Sequence, residues 1–270
     1  FHATGHRLLR RFGPSAGIPA DFTIMDQGDA EDLMQLSRAS LGLGDKKKRF
    51  PKKTTLHYIY SRHINTEIAV DDILRDEYPP FVDYREDIGR IFADYTRRKG
   101  DRNLVDYDDL LLFWGAMLDS DPALADRITG LYSHILVDEY QDTNMLQARV
   151  LKAMCRAHRN ITVVGDDAQS IYAFRGASFR NILDFPRDFP GTTIVTLEQN
   201  YRSTQPILDT TNTLIARAEE RFTKNLWTRR EGGERPWLVS VQDEGQQTRF
   251  VVERVLELHE NGTPLREMAV

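Results

Sequence analysis

Cysteine is almost absent from this chain. Cys155 stands alone among 270 residues, which excludes an internal disulfide framework and the small secreted scaffolds that depend on one. On an apolar helix the lone thiol reads as packing. No apolar run is long enough to span a bilayer and no signal-peptide pattern is visible, so no membrane partner is expected and the expected location is cytoplasmic. An excess of positive charge is missing too, since 36 Lys and Arg against 41 Asp and Glu leave a formal charge of −5. That balance argues against a uniformly basic surface but leaves room for local basic tracks, because contacts to phosphates are local. Lys46-Lys47-Lys48-Arg49 with Lys52-Lys53, and Arg97-Arg98-Lys99, are the candidate tracks; a charge run is otherwise a solvated face. Histidine is too sparse for a zinc site: His2 and His6 share one helix face, as do His57 and Ser61 near His63, and neither set has a third ligand at suitable spacing. Internal repeats and low-complexity tracts are absent. With 40% hydrophobic residues the chain can still bury a substantial core, with room for more than one domain.

What is present begins with Ile135-Leu136-Val137-Asp138-Glu139-Tyr140-Gln141-Asp142. The apolar run reads as a strand buried on both faces, delivering two adjacent carboxylates to its carboxyl end, where ligands of open parallel sheets gather. Asp138 suits a magnesium ion, directly or through water, and Glu139 suits orienting and deprotonating an attacking water. A second apolar run, Ile161 to Val164, ends in Gly165-Asp166-Asp167-Ala168-Gln169, and a third, Thr193 to Leu197, ends in Glu198-Gln199-Asn200-Tyr201-Arg202. Between the first two, Leu146, Val150 and Met154 recur at helical spacing behind Asp142 or Thr143 as cap, which fits a βαβ unit. Gln169 can sense a terminal phosphate. Arg202 can neutralise charge developing on the transferred group, an effect worth about 10³ to 10⁵ in rate in this chemistry. Tyr201 offers a flat face for a base. Read alone, Asp138-Glu139 is an acidic strand end, and Tyr201-Arg202 a core aromatic beside a surface arginine.

Tyr172, Phe174 and Arg175 interleave aromatics with a cation just after Gln169. Single-stranded nucleic acid is bound by such stacking faces, at roughly 1 to 3 kcal/mol per base. The alternative places Tyr172 and Phe174 in the core on either side of a bend.

The remaining chain is organised around helices. Leu8, Leu9 and Phe12 belong to an opening helix that stops near Gly13-Pro14. From about Asp21 to Gly100 the pattern is helical with polar breaks: Leu33 and Leu36, Leu56 to Ile64, then Phe81, Tyr84, Ile88, Ile91 and Tyr95 on one stripe. Nothing there reads as parallel sheet. Asp106 suits the cap of the next helix with Asp109 in its first turn, a reading preferred over a metal site at Asp106, Asp108 and Asp109. After Thr204, with Pro206 in the first turn, Ile207, Thr211, Leu214, Ile215 and Ala218 mark a helix face. Trp237 to Val241 reads as a strand and Phe250 to Leu258 as a helix.

Phe1-His2-Ala3, Asp106-Tyr107-Asp108-Asp109-Leu110, Val137 to Asn144, Val164 to Tyr172 and Leu197 to Thr204 together resemble, in order and spacing, the successive helicase motifs of the UvrD/Rep/PcrA family of superfamily 1. The resemblance runs over practically the whole chain. It implies an α/β fold: a RecA-like P-loop NTPase motor domain with a parallel sheet (residues 1–20 and 101–197), interrupted by an α-helical insert subdomain (21–100) and followed by the start of a second motor domain (198–270). It implies ATP and Mg²⁺ as cofactors and ATP-driven 3′ to 5′ translocation on single-stranded DNA. It also implies duplex unwinding at single-strand/double-strand junctions, in repair or replication, with protein partners from those processes and association with the nucleoid. By residue, Asp138 would serve Mg²⁺ and Glu139 the water, and Gln169 and Arg202 the γ-phosphate. Tyr201 would stack on adenine, Tyr172, Phe174 and Arg175 would contact DNA, and His2 would approach its backbone. Many relatives carry Trp where Phe174 stands, a larger stacking face. The resemblance also points the Lys46 run toward duplex DNA.

The family's phosphate-binding loop, Gly-x-x-x-x-Gly-Lys-Ser/Thr, occurs nowhere in these residues, and neither do its late motifs. The chain is therefore expected to be a piece of a longer protein and, alone, to hydrolyse ATP poorly or not at all, since no other segment supplies that nest for phosphates. Two rival functions remain. A nuclease, or the nuclease-linked subunit of a helicase, would use Asp138, Glu139, Asp142, Asp166 and Asp167 for two metals, but gives Gln169, Tyr201 and Arg202 no role. A non-catalytic single-strand binding module would use Tyr172 to Arg175, but gives Asp138-Glu139 none.

Overall fold

The computed structural model describes residues 1–43, 50–173 and 176–270. They form two units, Phe1–Val195 and Thr196–Val270.

The first unit opens with helix α1 (His2–Phe12), whose Leu8, Leu9 and Phe12 are buried and which gives way to a single 3-10 turn at Gly13–Ala16. Strand β1 (Thr23–Ile24) leads to α2 (Gln27–Ser40), capped by the Asp26 carboxylate accepting from the Asp29 N–H at 2.9 Å. Helices α3 (Lys53–Thr66), α4 (Val70–Glu77) and α5 (Arg85–Asp101) follow, and strand β2 (Leu104–Val105) returns beside β1. The two pair in parallel, Thr23 opposite Leu104 and Ile24 opposite Val105. The 21–100 stretch is therefore not wholly free of sheet: the pairing is non-local, and two residues leave no periodicity to read.

Helix α6 (Tyr107–Ser120) starts from a reciprocal cap in which Asp106 accepts from the Asp109 N–H and Asp109 accepts from the Asp106 N–H, satisfying two otherwise orphaned donors. Helix α7 (Pro122–Thr129) precedes β3 (Ile135–Val137), then α8 (Met145–Met154), β4 (Ile161–Val163) and α9 (Arg180–Asp188). Strands β3 and β4 are parallel, with Ile135, Leu136 and Val137 opposite Ile161, Thr162 and Val163, and α8 makes the crossover. The cap of α8 is neither Asp142 nor Thr143 but Asn144, because a 3-10 turn at Tyr140–Asp142 delays the helix; Asn144 and Gln147 cap reciprocally.

Two apolar clusters fill this unit. One joins α1, α6, α7 and α8 through Leu9, Leu110, Trp114, Ile128 and Leu146; the other joins α2 to α5 through Met34, Leu56, Ile59, Leu74, Ile88, Ile91 and Tyr95. Gly5 permits α1 to lie against α6, since a Cβ there would stand 3.0 Å from the Leu110 carbonyl oxygen and 3.3 Å from the Trp114 ring. Leu36, expected inside, is 53% exposed. Cys155 is buried, as packing predicts, and burial pushes its thiol up to about 11.

The Arg97-Arg98-Lys99 run is not an external basic track. Arg97 and Arg98 pair with Asp94, and Arg97 also with Asp101. Lys99 is 3% exposed, with Nζ 2.6 Å from Asp106 Oδ2 and 2.7 Å from Asp109 Oδ2. The Tyr95 hydroxyl donates to the same Asp106 oxygen at 2.7 Å, and the ammonium lies 4.5 Å from the Tyr95 ring centre and 5.1 Å from that of Tyr60. Burial and the Asp106 charge push the Asp109 carboxyl up to about 6; burial also acts on Asp106, but the Lys99 charge and hydrogen bond outweigh it and hold that carboxyl below its ordinary value. Of the other run, Lys53 pairs with Asp32 at 2.5 Å, and Lys46 to Arg49 lie outside the described residues.

In the second unit, α10 (Gln205–Ile215) and α11 (Glu244–Glu260) stand where helices were expected, the latter several residues longer. Thr193 to Leu197 and Trp237 to Val241 are not strands. Val195 is 75%, Leu197 77% and Leu238 97% exposed. A β-strand exists only with a ladder partner, and among the described residues these segments have none; the one nearby bridge joins Gln199 to Trp227. Strand β3, although paired with β4, is covered on one face only: Val137 is buried and Leu136 is 78% exposed. No helix among the described residues is long and apolar enough to cross a membrane.

Candidate active site

Strand β3 ends at Val137 and places Asp138 and Glu139 in the open, with Asp138 Oδ1 accepting the Glu139 N–H at 3.0 Å. Glu139 has φ of 49° and ψ of 46°, left-handed geometry that a side-chain-bearing residue adopts at a cost of about 1–3 kcal/mol. This turn reverses the chain into the Tyr140–Asp142 3-10 turn, which buries Tyr140 against Phe185 of α9 and brings Gln141 under the acidic pair.

Beside it, β4 runs through Val164, whose N–H donates to the Val137 carbonyl and whose carbonyl accepts from the Tyr140 N–H, so the ladder continues beyond the strand ends. Gly165 then passes directly over the Gln141 side chain, and the Asp166 carboxylate caps a 3-10 turn at Asp167–Gln169 by accepting from the Ala168 N–H. Four polar groups come into series. Gln141 Nε2 donates to Glu139 Oε2 at 2.7 Å, Gln141 Oε1 accepts from the Asp166 N–H at 3.0 Å, and Gln169 Nε2 donates to Asp166 Oδ2 at 2.9 Å.

A second polar group ties this turn to the helices. Asn181 Nδ2 donates to the Thr143 carbonyl and hydroxyl, Asn144 Nδ2 donates to Asn65 Oδ1 at 2.8 Å, and Asn65 Nδ2 donates to Asp108 Oδ1 at 2.7 Å. Burial raises the Asp108 carboxyl, with the Asp106 charge adding to it. The loop after Gln169 is fastened to α3 by Arg62 donating to the Ala173 carbonyl at 3.2 Å.

The family model described as the UvrD/REP helicase N-terminal domain matches residues 1–190, and that of the UvrD-like helicase C-terminal domain matches residues 195–270. The chain belongs to the UvrD/REP helicase family. It is 37% identical to DNA helicase II of Haemophilus influenzae over all of this chain and 36% of the relative. It is 34% identical to ATP-dependent DNA helicase PcrA of Leuconostoc citreum, and 36% identical to ATP-dependent DNA helicase UvrD1 of Mycobacterium bovis, in each case over 96% of this chain and 34% of the relative. The chain thus spans about a third of the length of the curated relatives it matches. Family membership implies a RecA-like α/β fold, of which the β3-α8-β4 crossover is a parallel unit in an otherwise mostly helical chain.

In this UvrD/REP chain Glu139 and Gln169 are joined through Gln141 and Asp166, and Asp138 adjoins them. Tyr172 is half-buried on the loop that follows, and Phe174 and Arg175 lie outside the described residues. His2 stands at the start of α1, edge-on to Tyr107 at 5.8 Å between ring centres. Tyr201 and Arg202 lie in the second unit. Tyr201 is 76% exposed with its hydroxyl donating to Gln199 Oε1 at 3.0 Å, and Asn200 Oδ1 accepts from the backbone N–H groups of Arg202 and Ser203, shaping the turn that presents both side chains. Among the described residues, Asp138, Glu139, Asp142, Asp166 and Asp167 do not gather three together as a metal-holding group. Sequence reasoning placed Gln141, Asn144 and Asn181 in the segments that carry the resemblance without giving them a role, and passed over Asn65. Their signal is burial of an amide, which a polar letter does not reveal.

Proposed function

We propose that the protein containing this chain is an ATP-driven DNA helicase that moves 3′ to 5′ on single-stranded DNA and opens duplexes at junctions, serving repair or replication at the nucleoid. The observation that carries the reading is the series Glu139–Gln141–Asp166–Gln169 at the ends of adjacent parallel strands, because it links a group able to take a proton from water with one able to bind a terminal phosphate. The relatives, ATP-dependent DNA helicases among them, support the same reading.

Magnesium fits the acidic turn. Asp138 is exposed and offers a hard oxygen donor, and Mg²⁺ takes one or two carboxylates completed by phosphate oxygens and water. When bound, the ion would neutralise charge on the nucleotide phosphates. Glu139 orients and deprotonates the attacking water, Gln169 donates to the γ-phosphate, Arg202 offsets its charge, and Tyr201 stacks on adenine. His2, Tyr172, Phe174 and Arg175 line the path of single-stranded DNA. Residues 1–20 and 101–197 belong to one motor domain, 21–100 to a helical insert, and 198–270 to a second motor domain.

The test is ATP turnover by the full-length protein with and without single-stranded DNA, beside its Glu139→Gln variant, and unwinding of duplexes with a 3′ or a 5′ tail. DNA-stimulated turnover lost in the variant and unwinding confined to the 3′ tail are expected. DNA binding without turnover would sink the motor reading in favour of a binding platform, and ATP-independent DNA cleavage would favour a nuclease.

A further inference from the structure

Gln141 is 1% exposed and makes two bonds of opposite sense, giving a hydrogen to the Glu139 carboxylate and taking one from the Asp166 N–H. A carboxylate only accepts and a backbone N–H only donates, so the amide is fixed in one orientation, with its nitrogen toward Glu139 and its oxygen toward Asp166. Space is reserved for it: a Cβ on Gly165 would fall 2.6 Å from Gln141 Oε1 and 2.7 Å from Ile182 Cδ1. Ser170 Oγ donates to the Gln141 carbonyl at 3.4 Å, so the loop touches both the side chain and the backbone of this residue. Glu139 itself sits in a strained left-handed turn, and its Oε2 is steered by this amide.

We infer that Gln141 is the positioning residue of the hydrolytic centre: it aims the Glu139 carboxylate and ties that aim to the loop carrying Asp166, Gln169 and Tyr172. The inference rests on the reading of Glu139 as the base. A shift of the loop, whether from phosphate at Gln169 or from DNA at Tyr172, moves the Asp166 N–H and with it the amide that holds Glu139. Gln141 neither touches the reacting atoms nor exchanges a proton; it acts through Glu139.

The full-length protein is tested as Gln141→Leu, Gln141→Glu and Glu139→Gln, with folding of each checked by thermal denaturation. Loss of a well-aimed base costs typically about 10²–10⁴ in rate, so a misaimed one is expected to cost at least about tenfold in DNA-stimulated kcat, with KM for ATP within about twofold. The ratio of stimulated to unstimulated turnover should fall. In Gln141→Glu a second carboxylate replaces the donor beside Glu139, and the acid limb of the kcat profile should move to higher pH. This isosteric variant decides the matter if Gln141→Leu does not fold. Retention of kcat and of the stimulation ratio, or an unmoved acid limb, overturns the inference while the loss in Glu139→Gln leaves the functional reading standing. Undiminished turnover in Glu139→Gln overturns both.

Discussion

Replacing Lys99 with Met removes the cation from between Asp106 and Asp109, whose side chains are 4% exposed like that of the lysine. The methionine fills much of the space, so the cost lies in two carboxylates left buried without a counter-charge. Breaking a buried pair in this way costs about 3–5 kcal/mol. A folding unit of this size shifts its midpoint by about 2–4 °C per kcal/mol, so a fall in Tm of roughly 6–20 °C is expected by calorimetry. The pH dependence separates this mechanism from simple mispacking. In the wild-type chain Asp109 is pushed up to about 6 and Asp106 is held low. The raised group favours the folded state as pH falls through 6 toward its unfolded value; the lowered group contributes stability above its unfolded value and loses it as pH falls through its folded one. Without Lys99 both carboxyls rise, the folded state takes up protons more readily than the unfolded, and the deficit of the variant should shrink between about pH 7.5 and pH 5. A loss under about 1 kcal/mol, or one that does not change with pH, refutes the reasoning.

Asn144→Ala removes the cap of α8 and leaves the buried Asn65 amide without its acceptor's partner, so a loss of about 2–4 kcal/mol is expected in chemical denaturation; a change below about 0.5 would mean that the network is dispensable. Cys155, buried and with its thiol pushed up to about 11, should react with a thiol reagent at neutral pH only as fast as the fold opens, and equal labelling rates in native and urea-unfolded chain would contradict that. The 270-residue chain by itself should show no DNA-stimulated ATP turnover, having no Gly-x-x-x-x-Gly-Lys-Ser/Thr segment. Clear turnover by the purified chain would show that another segment cradles the phosphates.

Features written locally were legible. The Asp106 cap, the α1 stop at Gly13, the apolar face of α8 and the acidic turn after β3 each depend on residues a few positions apart. Features that depend on partners were not. Thr193 to Leu197 and Trp237 to Val241 have strand composition but no ladder, and β1 with β2 has a ladder but almost no composition. Lys99 offered a clue: it follows Ile88, Phe92 and Tyr95 along the buried stripe of α5, so its spacing pointed inward while its charge pointed out. Gln141 offered less, since its two bonds join a turn to a loop 25 positions further on.

The two-residue pairing of β1 with β2 has a consequence for the order of assembly. Contacts among α2, α3, α4 and α5 span shorter stretches of sequence than the contact of α1 with α6, which reaches across about a hundred positions, and longer closures are entropically slower. Once the intervening helices have condensed, Thr23 and Leu104 are held side by side and the long closure becomes a short one. The helical segment thus works as a staple on the assembly pathway: it gathers the two ends of a discontinuous core, and loosening it should slow the docking of α1 onto α6 before it alters anything at the acidic turn.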